Sequence, residues 1–382
     1  MNTKHEPKRV ALVASHAPSL LLFRRPLIEA IGARGHEVLA LAPDIAPGTK
    51  AALEDLGATP VEIPLSRTGL NPIADLATLN ALTGLFRKHR PDVVMGYTPK
   101  PSIYASLAAA RANVPRIVPM VTGLGYAFLD GGGVKAGLIR RLTTALYARA
   151  FAASHCAIFH NADDRAVLAK AGCLPGSLPT VVVSGSGVDL DYFAARPMPP
   201  LERELTFLMI ARLVRYKGIA EYCAAAEMVK SQRPDTRFLL AGPEETGPAG
   251  FPISELKTGA SAVDYLGPVD DVRPLLAQAH IYVLPSYGEG MPRTVLEALA
   301  TARPIITTDA RGCRETVVAG KNGMLVAPQS AGALAEAMSA MADRADALAA
   351  MGRESRRLAE TTFDVTKVNA AMLEALGLSG AE

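Results

Sequence analysis

The chain has 382 residues, of which 49% are hydrophobic and 20% are charged, so it is long enough for two globular domains with buried cores. No apolar stretch reaches the length of a membrane span, the N-terminal residues lack a secretory pattern, and the four cysteines show no CxxC spacing. This composition argues against an integral membrane protein and a disulfide-stabilised secreted protein, and it predicts a cytoplasmic chain with reduced thiols.

The net charge of +3 is unevenly distributed along the sequence. Residues 1–195 contain 20 Lys and Arg against 14 Asp and Glu, whereas residues 196–382 contain 20 against 23. The basic first half predicts an anionic partner, such as a phosphate-bearing substrate or an anionic membrane surface. The alternative is that this charge is unremarkable for a domain. We expect no nucleic-acid partner.

The first half alternates short apolar segments with longer helical ones. Helices are predicted over residues 24–35 and 137–154, among others. Strands separated by helices are typical of βαβ units, whose strands are parallel. The predicted strands cover residues 9–15, 36–42, 60–65, 92–97, 116–121, 156–160 and 180–184.

The same alternation begins again after a linker rich in Gly, Pro and polar residues, over residues 184–204. We therefore predict an α/β protein with two Rossmann-like, doubly wound parallel-sheet domains that face each other across a cleft. The predicted domains cover residues 1–190 and 191–382, with the last helix able to pack back on the first domain. The predicted strands of the second half cover residues 205–211, 237–242, 263–267, 281–286, 304–309 and 323–328, and the predicted helices lie around 217–232, 292–302 and 330–360.

Two glutamates follow the strand at 281–286, at the edge where doubly wound sheets bind ligands. Pro292 is expected to begin a helix whose unpaired N-terminal amides favour a phosphate or a polar sugar. Glu289 would precede this helix and Glu297 would lie about two turns inside it, roughly 8–10 Å away at about 1.5 Å per residue. Carboxylates accept hydrogen bonds, so the pair suits sugar hydroxyls. The alternative is one capping glutamate and one solvated glutamate.

Two basic residues follow the first strand of the second half. Arg212 comes directly after the strand at 205–211, and Lys217 lies five residues later at the start of a helix. A guanidinium and an ammonium at the mouth of a sheet suit a diphosphate. The alternative is an unconnected pair of surface cations. Gly242 and Val269, in the turns after the next two strands, are predicted to line a nucleobase pocket, unless these are plain turns.

Polar residues follow three strands of the first half, and as a group they predict an acceptor-binding edge. A lone histidine is usually structural and a lone lysine is usually solvated, so the prediction depends on their shared position at one sheet edge. These residues are Ser15, His16, Thr98, Lys100, Thr122 and Gly123.

Basic residues lie among apolar ones in and just before the helix predicted at 137–154. Lys135, Arg140, Arg141 and Arg149 would suit an anionic bilayer. The alternative is an ordinary packed helix with solvated basic residues.

Metal and cofactor signals are weak. The DLD sequence at 189–191 has the form of a metal-binding DxD pattern, but its place in the linker favours a turn or cap. No HExxH, GxSxG or GxxxxGK[ST] motif is present. We therefore expect no metal ion and no cofactor.

Several motifs together resemble glycosyltransferase family 4, whose members have the GT-B fold of two Rossmann-like domains. In the first half, LSRTGLNP (65–72), YTPKPSIY (97–104) and VTGLGYAF (121–128) resemble the subgroup that acts on bacterial undecaprenyl-diphosphate-linked saccharides. The resemblance covers essentially the whole chain. The motifs of the second half are ARLVRYKG (211–218), LPSYGEGMP (284–292), the E-x7-E pair of EGMPRTVLE (289–297), and ARGCRETV with KNGMLV (310–326).

The resemblance implies retaining, metal-independent transfer of a sugar in surface polysaccharide or glycan biosynthesis. The donor would be a UDP-hexose or UDP-N-acetylhexosamine, and the acceptor a polyprenyl-diphosphate-linked saccharide at the inner face of the plasma membrane. Arg212 and Lys217 would neutralise the leaving diphosphate. Glu289 would bind hydroxyls of the transferred sugar, helped by Gly290, Met291, Pro292 and Arg293, and Glu297 would bind the ribose.

Two segments depart from the family pattern, and other functions stay open. SHAPSLLLF (15–23) stands where many relatives have a Gly-rich loop, and Tyr97-Thr98 with Lys100 stands where many have a histidine. Roles of His16 and Lys100 toward the acceptor phosphate or donor sugar therefore rest on position. The alternatives are a UDP-sugar epimerase of the same architecture, a transferase with a soluble acceptor, and a nonenzymatic sugar-nucleotide-binding scaffold.

Overall fold

A computed structural model describes residues 6–66, 71–124, 128, 133–201, 204–247, 249–256 and 262–379, except for the side chains of residues 133–136. The chain divides into two compact units. The first unit comprises Met1–Ser186 with Thr366–Glu382, and the second comprises Gly187–Val365. The sequence placed this division at residues 190 and 191, and the structure places it four residues earlier.

The first unit alternates strands and helices, as the sequence predicts, and the last helix of the chain returns to it. In chain order its elements are β1 (Arg9–Val13), α1 (Pro18–Gly32), β2 (Glu37–Ala42), α2 (Pro47–Asp55), β3 (Ala58–Glu62), α3 (Pro72–His89), β4 (Val93–Gly96), α4 (Pro99–Arg111), β5 (Arg116–Ile117), β6 (Met120–Val121), α5 (Gly133–Ala152), β7 (Ala157–Phe159), α6 (Ala162–Lys170) and β8 (Thr180–Val182).

A five-stranded parallel sheet lies at the centre of the first unit. Its order is β3-β2-β1-β4-β5, so the strand order reverses between β1 and β4. Successive residues of β1 belong to different apolar clusters, with Val10 and Leu12 in one and Ala11 and Val13 in the other. Alternate residues of a strand face opposite sides, so apolar side chains pack against both faces of this sheet.

The hydrophobic run at 116–121 is two strands in different sheets, so the prediction of a single strand is wrong. β5 pairs with β4, whereas β6 pairs with β7 in a second parallel sheet of order β6-β7-β8. Pro119, between the two strands, has no N–H to donate, and its carbonyl accepts a hydrogen bond from the Ile158 amide at 3.0 Å. Hydropathy does not reveal this change of sheet.

The second unit has one six-stranded parallel sheet of order β11-β10-β9-β12-β13-β14, which reverses between β9 and β12. Its strands and the helices predicted around 217–232 and 292–302 agree with the sequence to within a few residues, whereas the single helix predicted around 330–360 is two helices. In chain order the elements are β9 (Thr206–Ile210), a 3-10 helix (Arg215–Lys217), α7 (Ile219–Gln232), β10 (Arg237–Ala241), α8 (Ile253–Leu256), β11 (Val263–Tyr265), α9 (Arg273–Gln278), β12 (Ile281–Leu284), α10 (Arg293–Ala300), β13 (Ile305–Thr308), a 3-10 helix (Arg314–Thr316), β14 (Gly323–Val326), α11 (Ala331–Ala342), a 3-10 helix (Ala345–Ala347), α12 (Leu348–Leu358) and a π-helical turn (Ala359–Phe363).

The last helix, α13 (Val365–Leu376), completes the core of the first unit. Its buried Met372 and Leu373 belong to the same apolar cluster as Val10 and Leu12 of β1. The Arg116 guanidinium donates to the carbonyl of Ala375 at 3.0 and 2.7 Å. The C-terminal segment is therefore a structural part of the first unit.

Candidate functional site

The strongest candidate site lies where the second sheet reverses its strand order. Arg212 and Lys217 follow β9, and Glu289 follows β12, the neighbouring strand on the other side of the reversal. Crevices at such reversals are where doubly wound sheets bind ligands. The structure thus places at one edge of the second sheet three residues that lie up to 77 positions apart in the sequence.

Lys217 and Glu289 form a partly buried ion pair. The Lys217 Nζ lies 2.5 Å from Glu289 Oε1, and the two side chains are only 17% and 14% exposed. The Ser286 hydroxyl donates to the same carboxylate oxygen at 2.7 Å. Gly218 allows this contact, because its backbone has φ = +76° and a Cβ there would lie 2.2 Å from the Pro285 carbonyl oxygen. The end of β12 and the start of α7 therefore meet backbone to backbone.

The loop after β13 supports the backbone of Glu289. The Glu289 amide donates to the carbonyl of Arg311 at 2.9 Å. Gly312 has φ = +73°, and a Cβ at this position would lie 2.3 Å from the Glu289 carbonyl oxygen. This segment is part of the ARGCRETV motif at residues 310–317, whose physical role no pattern in the sequence indicates. Its role in the structure is to hold the Glu289 loop in place.

Two side chains that the sequence did not single out hold Arg212. Its Nη1 lies 2.6 Å from Glu245 Oε2, and its Nη2 donates to the Tyr216 hydroxyl at 3.1 Å. Glu245 belongs to the loop after β10, where the sequence singled out only Gly242, as a residue of a predicted nucleobase pocket. The sequence signal for this ion pair was the position of Glu245 after β10, the strand next to β9, which Arg212 follows.

Helix α10 places Glu297 differently from the prediction. The helix begins at Arg293, with Pro292 at its N-cap, so Glu297 lies little more than one turn inside it and not two. Glu297 is buried and pairs with Arg293 at 2.8 Å. Burial raises the pKa of Glu297, and the positive charge of Arg293 opposes that shift.

The other donor-side residues lie at the same edge of the second sheet or pack beneath it. Gly290 and Pro292 are buried, and Met291 and Val269 are partly buried against the apolar core. The Gly242 amide donates to the Gly267 carbonyl at 2.9 Å, and the Gly242 carbonyl accepts from the Tyr265 hydroxyl at 2.8 Å. Contacts of Gly242 and Val269 with a nucleobase stay a prediction.

The first unit has a corresponding edge where β1 and β4 meet. The hydroxyls of Ser15 and Thr98 lie 2.9 Å apart, each at the end of one of these strands. Thr98 has φ = 69° and ψ = 159°, a backbone conformation that is essentially restricted to glycine and costs about 1–3 kcal/mol. Strained backbone of this kind clusters at functional sites, which supports the predicted acceptor-side role of this pair.

The remaining acceptor-side candidates have different environments. Lys100 forms an ion pair with Asp75 at 2.8 Å, with the two side chains 16% and 11% exposed, and Tyr104 donates to the same carboxylate at 3.0 Å. The Lys100 charge is therefore largely neutralised within the first unit. His16 is exposed after β1. Thr122 and Gly123 follow β6, which belongs to the smaller sheet.

Asp189 has a local structural role. Its carboxylate accepts hydrogen bonds from the amides of Asp191 and Tyr192 at 3.0 and 2.9 Å, as expected for a turn. Among the described residues, no group of three or more His, Cys, Asp and Glu side chains is arranged to hold a metal ion. Three sequence predictions lie outside the described residues, namely the 67–70 and 125–127 parts of two family motifs and the side chain of Lys135.

Comparison with known proteins identifies the class of protein. The family model Glycosyl transferases group 1 matches residues 204–344, and the model Glycosyl transferase 4-like domain matches residues 23–165. The chain is 30% identical over 342 residues to N,N'-diacetylbacillosaminyl-diphospho-undecaprenol alpha-1,3-N-acetylgalactosaminyltransferase of Campylobacter jejuni, covering 87% of this chain and 88% of that protein. It is 26% identical over 268 residues to UDP-Gal:alpha-D-GlcNAc-diphosphoundecaprenol alpha-1,3-galactosyltransferase of Escherichia coli, covering 65% and 66%.

Solved structures define the fold. HepE from Anabaena in complex with UDP has a TM-score of 0.76 at 18% identity, covering 97% of this chain and 99% of that one. Sucrose-phosphate synthase from Thermosynechococcus elongatus has a TM-score of 0.77 at 18% identity, covering 96% and 98%. These similarities confirm the predicted GT-B fold class. With the sequence matches above, the chain belongs to glycosyltransferase family 4.

Proposed function

We propose that the protein is a retaining transferase that moves a hexose or N-acetylhexosamine from UDP to a polyprenyl-diphosphate-linked saccharide. The observation that carries the proposal is the partly buried Lys217–Glu289 pair, which shares the strand-order reversal of the second sheet with Arg212. The names of the relatives support the substrates. The Campylobacter jejuni and Escherichia coli relatives are named for diphospho-undecaprenol-linked acceptors, the latter also for a UDP-Gal donor, and the HepE complex contains UDP.

In this proposal the cations of the site drive departure of the nucleotide. Arg212 and Lys217 bind the donor diphosphate and stabilise the negative charge that develops as the bond from the anomeric carbon to the phosphate oxygen breaks. The acceptor hydroxyl bonds to that carbon on the same face, and its proton passes to the leaving phosphate oxygen. The configuration of the transferred sugar is therefore retained. Because side-chain cations carry this role, we propose that no metal ion is required.

In the same proposal, the two glutamates orient the donor. The Glu289 carboxylate accepts hydrogen bonds from hydroxyls of the transferred sugar while Lys217 and Ser286 hold it. Glu297 accepts from the ribose. Ser15 and Thr98, at the edge of the first sheet, are proposed to contact the acceptor, because their hydroxyls lie 2.9 Å apart and Thr98 has a strained backbone.

The test is acceptor-dependent release of nucleotide. Purified protein is offered a panel of UDP- and GDP-sugars, with and without short polyprenyl-diphosphate saccharides, and with EDTA in a parallel series. We expect UDP release only with a lipid-linked acceptor, loss of that release in Glu289→Ala, no effect of EDTA, and a product with the anomeric configuration of the donor.

The other functions predict different results in the same assay. Turnover of a UDP-sugar without any acceptor would indicate the epimerase, and transfer to free saccharides alone would indicate a soluble acceptor. Tight UDP binding with no turnover on any pairing would favour the scaffold. Loss of activity in EDTA would contradict metal independence.

We also propose that the first unit binds an anionic membrane surface through α5. Leu138 and Leu142 of this helix are 70% and 47% exposed and lie four residues apart, on one face, and Arg140 and Arg141 beside them are exposed. None of the described helices is long and apolar enough to cross a membrane. A reversible surface contact would bring the site to a lipid-linked acceptor.

Vesicle sedimentation tests the membrane contact. We expect binding to vesicles that contain anionic lipid, weaker binding to neutral vesicles, and loss of the anionic preference in the double variant Arg140→Glu with Arg141→Glu. The matched control is Lys50→Glu with Lys88→Glu, which changes the charge equally at two exposed residues of the same unit. An equal loss in the control would show that net charge alone, and not α5, drives binding.

The raised pKa of Glu297 predicts a pH-dependent affinity for UDP. The charged carboxylate accepts ribose hydrogen bonds, and burial makes it protonate at higher pH than an ordinary glutamate, whose pKa is about 4.3. We therefore expect the Kd for UDP to rise as the pH falls from neutrality through the raised pKa of Glu297. Calorimetric titration across this pH range should show that Glu297→Gln binds UDP more weakly and that its Kd changes less with pH. The same pH slope in both proteins would assign the effect to another group.

A further inference from the structure

The guanidinium of Arg212 already has a carboxylate partner within the second unit. Arg212 Nη1 lies 2.6 Å from Glu245 Oε2, while Nη2 donates to Tyr216. A phosphate and a carboxylate bind a guanidinium through the same planar set of N–H donors. If Arg212 binds the donor diphosphate, as the proposed function states, Glu245 and that diphosphate share one guanidinium and compete for its positive charge.

Backbone hydrogen bonds fix Glu245 in this position. The Leu213 amide donates to the Pro243 carbonyl, and the Phe251 amide donates to the Leu213 carbonyl, both at 2.9 Å. These bonds join the loop after β10 to the loop after β9 on both sides of Glu245. The backbone of Glu245 is therefore held close to Arg212, within reach of its guanidinium.

The neighbouring glutamate has a separate task. Glu244 Oε1 accepts a hydrogen bond from the Ile253 amide at 2.9 Å, which holds the end of the same loop. Gly250 keeps the loop closed, because a Cβ there would lie 2.0 Å from the carbonyl oxygen of Glu245. Of two consecutive glutamates, one thus stabilises the loop and the other faces the candidate diphosphate-binding cation.

Exposure separates the two ion pairs of the site. Arg212 and Glu245 are 40% and 36% exposed, whereas Lys217 and Glu289 are 17% and 14% exposed. A solvent-exposed ion pair is weak, so a diphosphate can displace Glu245 from Arg212 at small cost. We propose that Glu245 is an affinity-determining residue, whose carboxylate competes with the donor diphosphate for Arg212, weakens UDP binding and so favours release of UDP after transfer.

Calorimetric titration of UDP into the wild-type protein and into Glu245→Gln tests this proposal. The amide keeps the shape of the side chain but removes its charge, so we expect the Kd for UDP to fall about two- to fivefold, the order that loss of a weak exposed ion pair allows. The matched control is Glu255→Gln. Glu255 pairs with Arg215 at 2.6 Å and is similarly exposed. The Glu255→Gln variant loses the same charge, and its Kd for UDP should stay near that of the wild type.

The possible results separate the competing explanations. Unchanged or weaker UDP binding in Glu245→Gln, with normal binding by the wild type, would overturn the competition and leave the proposed function intact. An equal gain in Glu255→Gln would also overturn it, since long-range charge would then explain the effect. Failure of the wild type itself to bind UDP would overturn the proposed function and this inference together.

Steady-state kinetics provide a second readout. If Glu245 competes with the diphosphate, Glu245→Gln should lower the KM for the donor and strengthen product inhibition by UDP by a similar factor. A variant that merely loosened the loop would instead raise the KM for the donor and weaken product inhibition by UDP. Strengthened UDP inhibition therefore supports the competition, and weakened inhibition contradicts it.

Discussion

Lys217→Ala is expected to lower the kcat of sugar transfer by about 10²- to 10³-fold, the range seen when one preorganised electrostatic group is removed from an active site. The Lys217 ammonium lies 2.5 Å from Glu289 in a pair that is largely shielded from water. Its charge is therefore weakly screened, and in the proposed mechanism it lies where negative charge develops on the leaving phosphate. The substitution also removes the cation that holds Glu289. Initial rates at saturating donor and acceptor measure the effect.

The matched control for this substitution is Lys230→Ala. Lys230 lies on α7, the helix that follows Lys217, but it is exposed, so its loss should change kcat by less than about twofold because surface charges are well screened. Lys217→Arg keeps the charge with a different shape and should recover part of the rate. If Lys217→Ala retained a kcat close to that of Lys230→Ala, Lys217 would not stabilise the transition state.

Gly312→Ala is expected to damage both stability and activity. The residue has φ = +73°, which costs an alanine about 1–2 kcal/mol. The new Cβ would also lie 2.3 Å from the Glu289 carbonyl oxygen, an overlap that adds about 1–3 kcal/mol unless the backbone moves. Any such movement displaces Glu289. We therefore expect a lower midpoint of urea unfolding together with a loss of transfer rate well beyond the loss of folded protein.

Gly320→Ala separates the two causes. Gly320 has nearly the same backbone angle, φ = +76°, but no atom within 4 Å of the position that a Cβ would take. This variant should lose only about 1–2 kcal/mol of unfolding free energy and keep normal kcat. Equal stability and activity in the two variants would show that the Glu289 loop tolerates the overlap.

Periodicity and position predicted the sheet edges well. Short apolar runs separated by helical segments indicate parallel strands, and ligand-binding residues in such sheets follow the strands. Arg212, Lys217 and Glu289 could thus be chosen from the sequence. Because β9 and β12 are neighbours, the structure brings Lys217 into contact with Glu289. Their catalytic roles stay predictions.

Contacts between loops could not be predicted in the same way. The pairing of Arg212 with Glu245 depends on the hydrogen bonds between two loops, and the pairing of Lys100 with Asp75 depends on how α3 and α4 pack. Such contacts join residues 25 to 33 positions apart through side-chain geometry that no sequence period encodes. Helix α10 begins at Arg293, one residue after the predicted start at Pro292, because a proline in the sequence marks a helix start only to within a residue or two.

Helix α13 has a consequence for the order in which the chain acquires its structure during synthesis. Most of the first unit leaves the ribosome before the second unit, yet its apolar cluster includes Met372, Leu373 and Leu376, which leave after the second unit. The second unit is continuous in sequence and can fold as soon as it has emerged. The nascent first unit must meanwhile keep an apolar surface uncovered, and such surfaces promote aggregation and chaperone binding. The domain that is begun first is therefore completed last.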